Sequence, residues 1–202
     1  MFTGIVQNLG TLMAKKATPY GVQFKIKSSL SAASFRKGAS IAVDGVCLTV
    51  EAYSGKVFTV SLVKETLKKS RLGGARLGEK FNLETPLTLE TLLSGHFVSG
   101  HTDSTGKVLK IEPFQISVPE KYLKFMPEKG SVTINGVSLT IAKRLKNGIE
   151  IALIPETKKS TNLGAIQVGD SVNIEIDLLA RYLFGMLTIG NTELLFPSLI
   201  LR

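Results

Sequence analysis

The chain carries one sequence pattern twice, at an offset of 91 residues. Gly45-Val46-Cys47-Leu48-Thr49 returns as Gly136-Val137-Ser138-Leu139-Thr140, and the alignment then runs without a gap to Glu84 and Glu175. Thirteen of these 40 aligned pairs are identical, where average residue usage gives about two or three. A chain of 202 residues is long enough for two domains of about a hundred residues each. The repeat therefore predicts two homologous domains with two related but unequal pockets.

The composition is that of a globular protein, with 44% hydrophobic and 20% charged residues. No run of eighteen or more apolar residues occurs, so we expect no transmembrane helix and no membrane partner. The first six residues lack the basic region of a secretory signal. One cysteine, Cys47, can form neither an intrachain disulfide nor a cysteine-rich zinc site, which favours the reducing cytoplasm.

The net charge of +9 is concentrated in the first half of the chain. Residues 1–91 contain 13 basic and 6 acidic side chains, whereas residues 92–202 contain 12 and 10. A solvated basic face is the simplest interpretation, and nucleic-acid binding or steering of an anionic ligand are the alternatives. No aromatic RNA-recognition motif accompanies the lysines, so we expect no nucleic-acid partner.

Short stretches of alternating hydrophobicity, separated by glycine-containing turns, predict antiparallel β-barrels or sandwiches. The alternating stretches cover residues 22–26, 41–43, 46–50 and 58–62 in the first copy, and 116–118, 132–134, 137–141, 149–153 and 172–176 in the second. Asp44-Gly45 and Asn135-Gly136 are hairpin signals, because type I′ turns need positive φ at both central residues. Residues 65–71 and 156–162 are each expected to form a short helix before a glycine.

The pattern changes to a helical period after residue 176. Apolar residues recur at i, i+3, i+4, i+7 and i+8, which predicts an amphipathic helix over residues 177–189; they are Leu179, Tyr182, Leu183, Met186 and Leu187. The opposite face carries Arg181 but also Phe184, so we expect burial against another subunit, with packing on the chain's own barrel as the alternative. The expected domains are residues 1–88, 94–176 and a helix at 177–190, with an apolar tail to residue 202.

Motifs for metals and nucleotides are absent: two histidines and one cysteine give no ligand set, and no glycine-rich phosphate loop occurs. Three equivalent segments per copy outline one pocket per barrel, suited to a polar planar heterocycle. They are residues 3–6, 47–49 and 61–66 in the first copy, and 99–102, 138–140 and 152–157 in the second. A single Thr there is most simply a strand residue, but preservation of the whole set favours a site.

The copies differ at a few positions that could carry chemistry. Cys47 aligns with Ser138, Ile5 with His101, and Lys64 with Pro155, while His96 has no counterpart. His96 and His101 are five residues apart, so on an extended strand they point to opposite faces and need not share a role. Taken alone, a strand histidine is more often structural than catalytic, and a lone cysteine is usually a small buried hydrophobe.

These residues together resemble the riboflavin synthase family over roughly residues 1–183. The resemblance rests on Met1-Phe2-Thr3-Gly4-Ile5-Val6, Gly45-Val46-Cys47-Leu48-Thr49-Val50, Gly95-His96-Phe97-Val98-Ser99-Gly100-His101, Lys129-Gly130-Ser131, Asn135-Gly136-Val137-Ser138-Leu139-Thr140, Ile154-Pro155-Glu156-Thr157 and Val172-Asn173-Ile174-Glu175-Ile176-Asp177. The chain departs from the family pattern at Ser94, where Gly is usual, at Asn135, where Asp is common, and after Gly185.

The resemblance implies an all-β subunit of two six-stranded antiparallel Greek-key barrels followed by a C-terminal helix. It further implies a cytoplasmic homotrimer whose C-terminal helices associate at the centre and whose active sites lie between subunits, with lumazine synthase as a partner to test. The implied reaction, the last step of riboflavin biosynthesis, is a dismutation of two 6,7-dimethyl-8-ribityllumazine molecules. One molecule donates a four-carbon unit to the other, giving riboflavin and 5-amino-6-(D-ribitylamino)uracil, without cofactor or metal.

The resemblance also implies the residues of the site. The substrate-binding residues of the first copy would be Phe2, Gly4, Ile5, Val6, Ser40, Cys47, Leu48, Thr49, Ser61, Leu62, Val63, Lys64, Glu65 and Thr66. Those of the second would be Gly100, His101, Thr102, Lys129, Ser138, Leu139, Thr140, Ala152, Leu153, Ile154, Pro155, Glu156, Thr157 and Asp177. Each group would hold one lumazine, and which barrel holds the donor stays open.

The reaction needs a base for an acidified methyl group and a nucleophile or hydroxide for the partner ring. An imidazole titrating near neutrality suits the proton step, so His96 is the first candidate for the base and His101 the second. Ser138 and Cys47, at equivalent positions, would stabilise or form adducts. The rival interpretation is a non-catalytic lumazine or flavin carrier such as an optical antenna protein. Such relatives have lost much of the Ser-Gly-His and Gly-Val-Ser-Leu-Thr patterns, which this chain keeps.

Overall fold

The structure is a computed structural model that describes residues 1–31 and 36–189. Over these ranges the chain forms two six-stranded antiparallel barrels and a C-terminal helix, which confirms the predicted fold class. None of the helices in the described ranges is long and apolar enough to cross a membrane. The apolar tail predicted after residue 190 lies outside the described residues.

The two barrels have the same strand order. The first contains β1 (Asn8–Thr18), β2 (Gly21–Lys27), β3 (Ser40–Val43), β4 (Val46–Ser54), β5 (Val57–Val63) and β6 (Lys80–Glu84). The second contains β7 (Ser104–Lys110), β8 (Phe114–Ser117), β9 (Ser131–Ile134), β10 (Val137–Leu145), β11 (Gly148–Ile151) and β12 (Ser171–Ile176). The first closes in the order 1-2-5-4-3-6 and the second in the equivalent order 7-8-11-10-9-12.

Short helices connect the strands. They are α1 (Lys64–Lys69), α2 (Glu120–Leu123) and α3 (Pro155–Ser160), with single 3-10 turns at Arg71–Gly74 and Asn162–Ala165. The helices predicted before Gly73 and Gly164 are thereby confirmed. Because α1 and α3 occupy equivalent places after β5 and β11, the duplication extends to the connections.

Each barrel encloses its own core, as the period-two pattern requires. In the first, Phe24 and Phe81 lie with their rings parallel and their centroids 6.2 Å apart, both fully buried. The second core is built largely from isoleucines, including Ile116, Ile134 and Ile174, also fully buried. Each such side chain stabilises the fold by about 1.5–3 kcal/mol relative to exposure, so the packed barrels form a rigid support for the residues at their rims.

The barrels meet through their β3–β4 and β9–β10 hairpins. Asp44 and Asn135 have φ of 47°, and Gly45 and Gly136 have φ of 77°, which confirms both predicted turns. A Cβ on Gly136 would lie 2.6 Å from the Gly45 nitrogen, and one on Gly45 would lie 2.7 Å from that of Gly136. The turns therefore pack backbone against backbone, which only glycine permits.

Reciprocal hydrogen bonds join the barrels at this contact. Asn82 Nδ2 donates to the Asn135 carbonyl and Asn173 Nδ2 donates to the Asp44 carbonyl, each at 2.8 Å. The amide of Arg71 donates to Asn173 Oδ1, and the equivalent amide of Asn162 donates to Asn82 Oδ1, each at 2.7 Å. The two copies are thus related by an approximate twofold axis that passes between the turns.

The C-terminal helix α4 (Leu178–Ile189) begins one residue after the predicted start, because Asp177 caps it: Leu179 N donates to Asp177 Oδ1 at 2.9 Å. One face packs on the second barrel, where Phe184 meets Phe125 edge to face at 4.9 Å and Arg181 Nη2 donates to both Asp103 oxygens. The predicted apolar stripe faces outward, each member between 52% and 63% exposed; its members are Leu179, Tyr182, Leu183, Met186 and Leu187. The helix therefore lies on its own barrel and still presents an uncovered apolar face.

Candidate active site

The segments that precede the two barrels pair with each other. Phe2 and Val98 form an antiparallel bridge, in which Phe2 N donates to Val98 O at 2.8 Å and Val98 N donates to Phe2 O at 3.1 Å. Both side chains are buried. Since Phe2 precedes the first barrel and Val98 the second, this bridge lies close to the approximate twofold axis.

A buried carboxylate fixes each segment. Glu84, at the end of β6, accepts hydrogen bonds from the Thr3 amide and hydroxyl and from the Gly4 amide. Glu175, in β12, accepts the equivalent bonds from Ser99 and Gly100. Burial raises the pKa of both carboxyl groups, and these hydrogen bonds offset only part of the rise. The glutamates preserved by the repeat therefore hold backbone at the rim of each barrel.

Past these anchors, each segment reaches the opposite barrel. The Gly4 carbonyl accepts from Ser138 N at 2.7 Å, and the Gly100 carbonyl accepts from Cys47 N at 2.8 Å. Gly4 and Gly100 have φ of 76° and 80°, and a Cβ on either would lie 2.6–2.7 Å from the Cβ of Ser138 or Cys47. Val6 packs against the core of the second barrel. Repeat alignment grouped residues 4–6 with Cys47, whereas the structure brings them to Ser138.

The structure joins two of the three residues predicted to be catalytic. His96 Nδ1 lies 2.7 Å from Ser138 Oγ, and its Nε2 lies 3.2 Å from Oγ1 of Thr133. The His96 amide donates to Thr3 O, which fixes the backbone beneath the ring. Burial lowers the pKa of His96, opposed by the Asp177 carboxylate, and so favours the neutral imidazole. The site therefore offers a neutral imidazole bonded to two hydroxyl groups.

Gly95 makes the approach of His96 to Ser138 feasible. A Cβ on Gly95 would clash with the Thr3 carbonyl and would lie 2.9 Å from Ser138 Cβ. A glycine at this position therefore lets the chain before His96 run directly past β10.

Cys47, the third predicted catalytic residue, occupies the equivalent place in the first barrel but has apolar surroundings. Cys47 packs with Phe2, Ala42 and Val98. The residue is half-buried, and its thiol forms no disulfide. Ala42 lies directly opposite Cys47 across β3 and β4. Phe2, which was predicted to bind substrate, is buried in this apolar cluster behind Cys47.

His101 lies in a different environment from His96. Its side chain is exposed and lines a cleft of about 490 Å³ that also contains Thr102, Lys69 and Arg181. Its amide donates to Ser99 Oγ at 3.2 Å. The two histidines therefore belong to separate surfaces, in line with the opposite orientations expected from their spacing.

The remaining predicted substrate-binding residues line the barrel rims unequally. Thr49 and Thr140 are exposed and lie opposite Ser40 and Ser131 in the strand pairing. Several others are exposed at the ends of β5 and β11 and in the helices that follow; they are Val63, Lys64, Glu65, Ala152, Ile154, Pro155 and Glu156. Half-buried residues complete these rims; they are Ser61, Thr66, Leu153 and Thr157.

Three predicted residues face the barrel interiors instead. Leu48, Leu62 and Leu139 are at most 8% exposed and belong to the two cores, so only their backbone groups can reach a ligand. Lys129 is exposed with φ of 66°, and its amide donates to Ile141 O in β10. Its position therefore follows from the loop that precedes β9.

Sequence reasoning did not identify Thr133. The repeat aligns it with Ala42, so a comparison of the two copies at this position carried a usable signal. Glu84 and Glu175 were recognised only as a preserved pair, because their partners lie about 80 residues away in the sequence. Among the described residues, no group of three or more His, Cys, Asp or Glu side chains could hold a metal ion.

Comparison with known proteins supports the duplication. The profile of the lumazine binding domain matches the chain twice, at residues 3–86 and 99–177. The chain is 38% identical over 193 residues to riboflavin synthase of Bacillus amyloliquefaciens, covering 93% of this chain and 90% of that protein. It is 36% identical over 197 residues to riboflavin synthase of Bacillus subtilis, covering 95% and 92%.

Solved structures show the same fold. LumP complexed with riboflavin matches with a TM-score of 0.78 at 25% identity, over 87% of this chain and 99% of that one. LumP complexed with 6,7-dimethyl-8-(1'-D-ribityl) lumazine matches with a TM-score of 0.75 at 25% identity, over 87% and 98%. With two lumazine-binding domains and 36–38% identity to these synthases over more than nine tenths of its length, the chain belongs to the riboflavin synthase family of transferases.

Proposed function

We propose that the chain catalyses the dismutation of two 6,7-dimethyl-8-ribityllumazine molecules. One molecule transfers a four-carbon unit to the other, giving riboflavin and 5-amino-6-(D-ribitylamino)uracil. The two substrates together contain all the atoms of the two products, so the stoichiometry calls for no oxidant or reductant. The observation that carries the proposal is the pair of equivalent rims with unequal chemistry: Ser138 bonded to His96 in one, and Cys47 on an apolar cluster in the other.

Each lumazine would lie against one barrel and one crossed segment. The exchanged contacts support a first pocket that combines the rim around Cys47 and Thr49 with the segment after Gly100. They support a second that combines the rim around Ser138 and Thr140 with the segment after Gly4. One substrate bound twice requires similar pockets, and its two different fates require dissimilar ones.

His96, Ser138 and Cys47 are the residues to which we assign the chemistry. A neutral, hydrogen-bonded imidazole beside a hydroxyl group suits proton transfer and charge stabilisation at a bound ring. A single-turnover assay of His96→Ala and Ser138→Ala tests the assignment. We expect a loss of at least about a hundredfold in rate, the usual lower range for positioned acid–base groups. Near-wild-type rates in folded variants would exclude both residues.

The uncovered stripe of α4 supports a homotrimer in which these helices meet. Each active site would then combine the first-barrel pocket of one subunit with the second-barrel pocket of a neighbour. Five large exposed apolar side chains on one helix face form a contiguous patch of the kind that marks protein–protein contacts. Leu183→Glu is expected to yield monomers in light scattering and to lower activity. Leu77→Glu is the matched control, since Leu77 is 65% exposed and Leu183 61%. Equal oligomeric states for the two variants would contradict the trimer interface.

The broader assignments remain part of the proposal. The domain bounds 1–88 and 94–176 are supported by β6 ending at Glu84 and β7 beginning at Ser104. A cytoplasmic location rests on the single unpaired cysteine. Association with lumazine synthase stays a prediction, which co-sedimentation of the two purified proteins tests.

The decisive experiment mixes the purified protein with the lumazine and follows riboflavin absorbance. Formation of riboflavin with an equal amount of the uracil product supports the proposal. Stable lumazine fluorescence without riboflavin would instead indicate a carrier, the function that a LumP-like fold allows.

A further inference from the structure

The side chains of Thr133, His96 and Ser138 form a continuous hydrogen-bonded chain in the second barrel. Thr133 in β9 lies directly opposite Ser138 in β10, so both side chains are on one face of the sheet. His96 connects them, with Nε2 3.2 Å from Thr133 Oγ1 and Nδ1 2.7 Å from Ser138 Oγ. Thr133 is only 1% exposed, whereas Ser138 is half-buried at the rim. The Thr133 end of this hydrogen-bonded series is thus in the interior, and the Ser138 end faces the pocket.

We propose that Thr133 is a positioning residue, whose hydroxyl holds His96 in the tautomer protonated at Nδ1 and thereby makes Ser138 a hydrogen-bond donor toward the bound ring. The part concerning the ring rests on the proposed function, while the tautomer does not.

Which atoms donate and which accept in this hydrogen-bonded series follows from the need to satisfy the buried hydroxyl group of Thr133. Among the described residues, His96 Nε2 is the only hydrogen-bond partner of Thr133 Oγ1. Glu175, the neighbour of Thr133 on β12, uses its oxygens for Ser99 and Gly100. A buried O–H without an acceptor is costly, so Thr133 donates to Nε2. Nε2 must then carry a lone pair.

The hydrogen bond from Thr133 to Nε2 determines the direction of the hydrogen bond between His96 and Ser138. A neutral imidazole with a lone pair on Nε2 carries its hydrogen on Nδ1. Nδ1–H therefore donates to Ser138 Oγ, and the Ser138 hydroxyl hydrogen is directed to the pocket. The opposite tautomer would leave the Thr133 hydroxyl hydrogen in the interior with no acceptor. Burial, which lowers the pKa of His96, maintains the neutral ring that this arrangement requires.

The first barrel lacks an equivalent series of hydrogen-bonded side chains. Ala42 takes the place of Thr133, and its partner Cys47 lies among apolar side chains. Of the two equivalent residues Ser138 and Cys47, Ser138 is therefore the one held as an oriented donor, suited to a carbonyl oxygen or unprotonated ring nitrogen of the substrate. Before reaction, Ser138 then acts as a donor to the ring and His96 orients Ser138. His96 can accept a proton from the substrate only after the hydrogen bond from Thr133 to its Nε2 lone pair is broken.

Histidine tautomers can be measured directly, without turnover. We expect ¹H–¹⁵N correlation spectra of ¹⁵N-histidine-labelled protein, at about pH 8 where imidazole is neutral, to show His96 protonated at Nδ1. The chain has two histidines, so His101→Gln assigns the signals. Thr133→Val, which removes the hydroxyl and keeps the shape, is expected to move the hydrogen toward Nε2. Thr133→Ser is expected to restore the Nδ1 form.

Activity provides the second measurement. Thr133→Val is expected to lower kcat about tenfold, the equivalent of one hydrogen bond, and Thr133→Ser to stay within about threefold of wild type. Thr59→Val on β5 is the matched control, a half-buried strand threonine in the first barrel, and should change neither signal nor rate. A wild-type His96 protonated at Nε2, or a tautomer unchanged in folded Thr133→Val, overturns the proposal. A protein that forms no riboflavin but shows the Nδ1 form would contradict only the proposed function.

Discussion

The ion pair between Asp44 and Arg71 offers a quantitative test of how the barrels are joined. Asp44 is fully buried; its Oδ1 accepts from Asn82 N at 2.7 Å and Asn162 Nδ2 at 2.9 Å, and its Oδ2 lies 2.8 Å from Arg71 Nε. Arg71 also pairs with Glu79. Burial raises the pKa of Asp44 from 3.8 to about 6, although Arg71 opposes the shift. A shift of that size corresponds to about 3 kcal/mol against the charged form.

Replacing Arg71 should increase the free-energy cost of burying the charged Asp44 carboxylate. Arg71→Asn leaves a buried carboxylate without its cation, which lowers the free energy of unfolding at pH 8 by about 3–5 kcal/mol. The double variant Asp44→Asn, Arg71→Asn copies the second barrel, where Asn135 and Asn162 occupy these positions and are hydrogen-bonded. Because neutral replacement of both partners is often tolerated, we expect the double variant to lie within about 1 kcal/mol of wild type.

The pH dependence follows from the sign of the shift. Because the folded pKa of Asp44 is raised, its contribution to stability is fully present below 3.8 and is lost as the pH rises through about 6. The stability of wild type relative to Asp44→Asn should therefore fall between pH 4 and 7. Urea unfolding followed by circular dichroism measures each variant. A loss below about 1 kcal/mol for Arg71→Asn, or a double variant as unstable as that single one, would refute the reasoning.

Two glycine substitutions test other parts of the structure. Gly136→Ala, with φ of 77° and a Cβ 2.6 Å from Gly45 N, should cost about 2–5 kcal/mol in urea unfolding. Gly55→Ala, which has positive φ but no neighbour within 4 Å, should cost only about 1–2 kcal/mol; equal losses would show that the hairpin contact is unimportant. Gly95→Ala should lower riboflavin formation about a hundredfold by displacing Ser138 from His96. Retention of a third of the activity would show that this approach is not needed.

The local features of the fold were predictable because their causes are local. Asp44-Gly45 and Asn135-Gly136 have few alternatives to a tight hairpin, and the stripe that begins at Leu179 has only a helical period. The strands β1, β6 and β7 were not identified. A register shift between Leu12 and Ala14 interrupts the alternation in β1, and the charged and polar residues of β7 leave Gly106 and Val108 as its only buried positions.

The candidate site was predictable in its residue types but not in its connections. The repeat identified Ser138 and Cys47 as equivalent, and the absence of a partner identified His96. It could not show that Gly4 reaches the barrel of Ser138, because such crossing depends on how two domains dock and leaves no periodicity in the sequence. Thr133 escaped notice for a related reason, since a buried strand threonine is ordinary until a histidine is placed beside it.

The crossed segments have an evolutionary consequence. Two separate copies of a single barrel could make the same reciprocal contacts as a symmetric dimer, but every residue would then appear on both sides of the axis. Such a dimer could not place a histidine at one rim and a cysteine paired with an alanine at the other. Joining the copies in one chain frees each position to mutate alone, so covalent linkage is what permits the symmetry to be broken at His96 and Thr133. The connection between β6 and β7, which joins the two barrels, is therefore as much a condition for unequal pockets as the residues that line them.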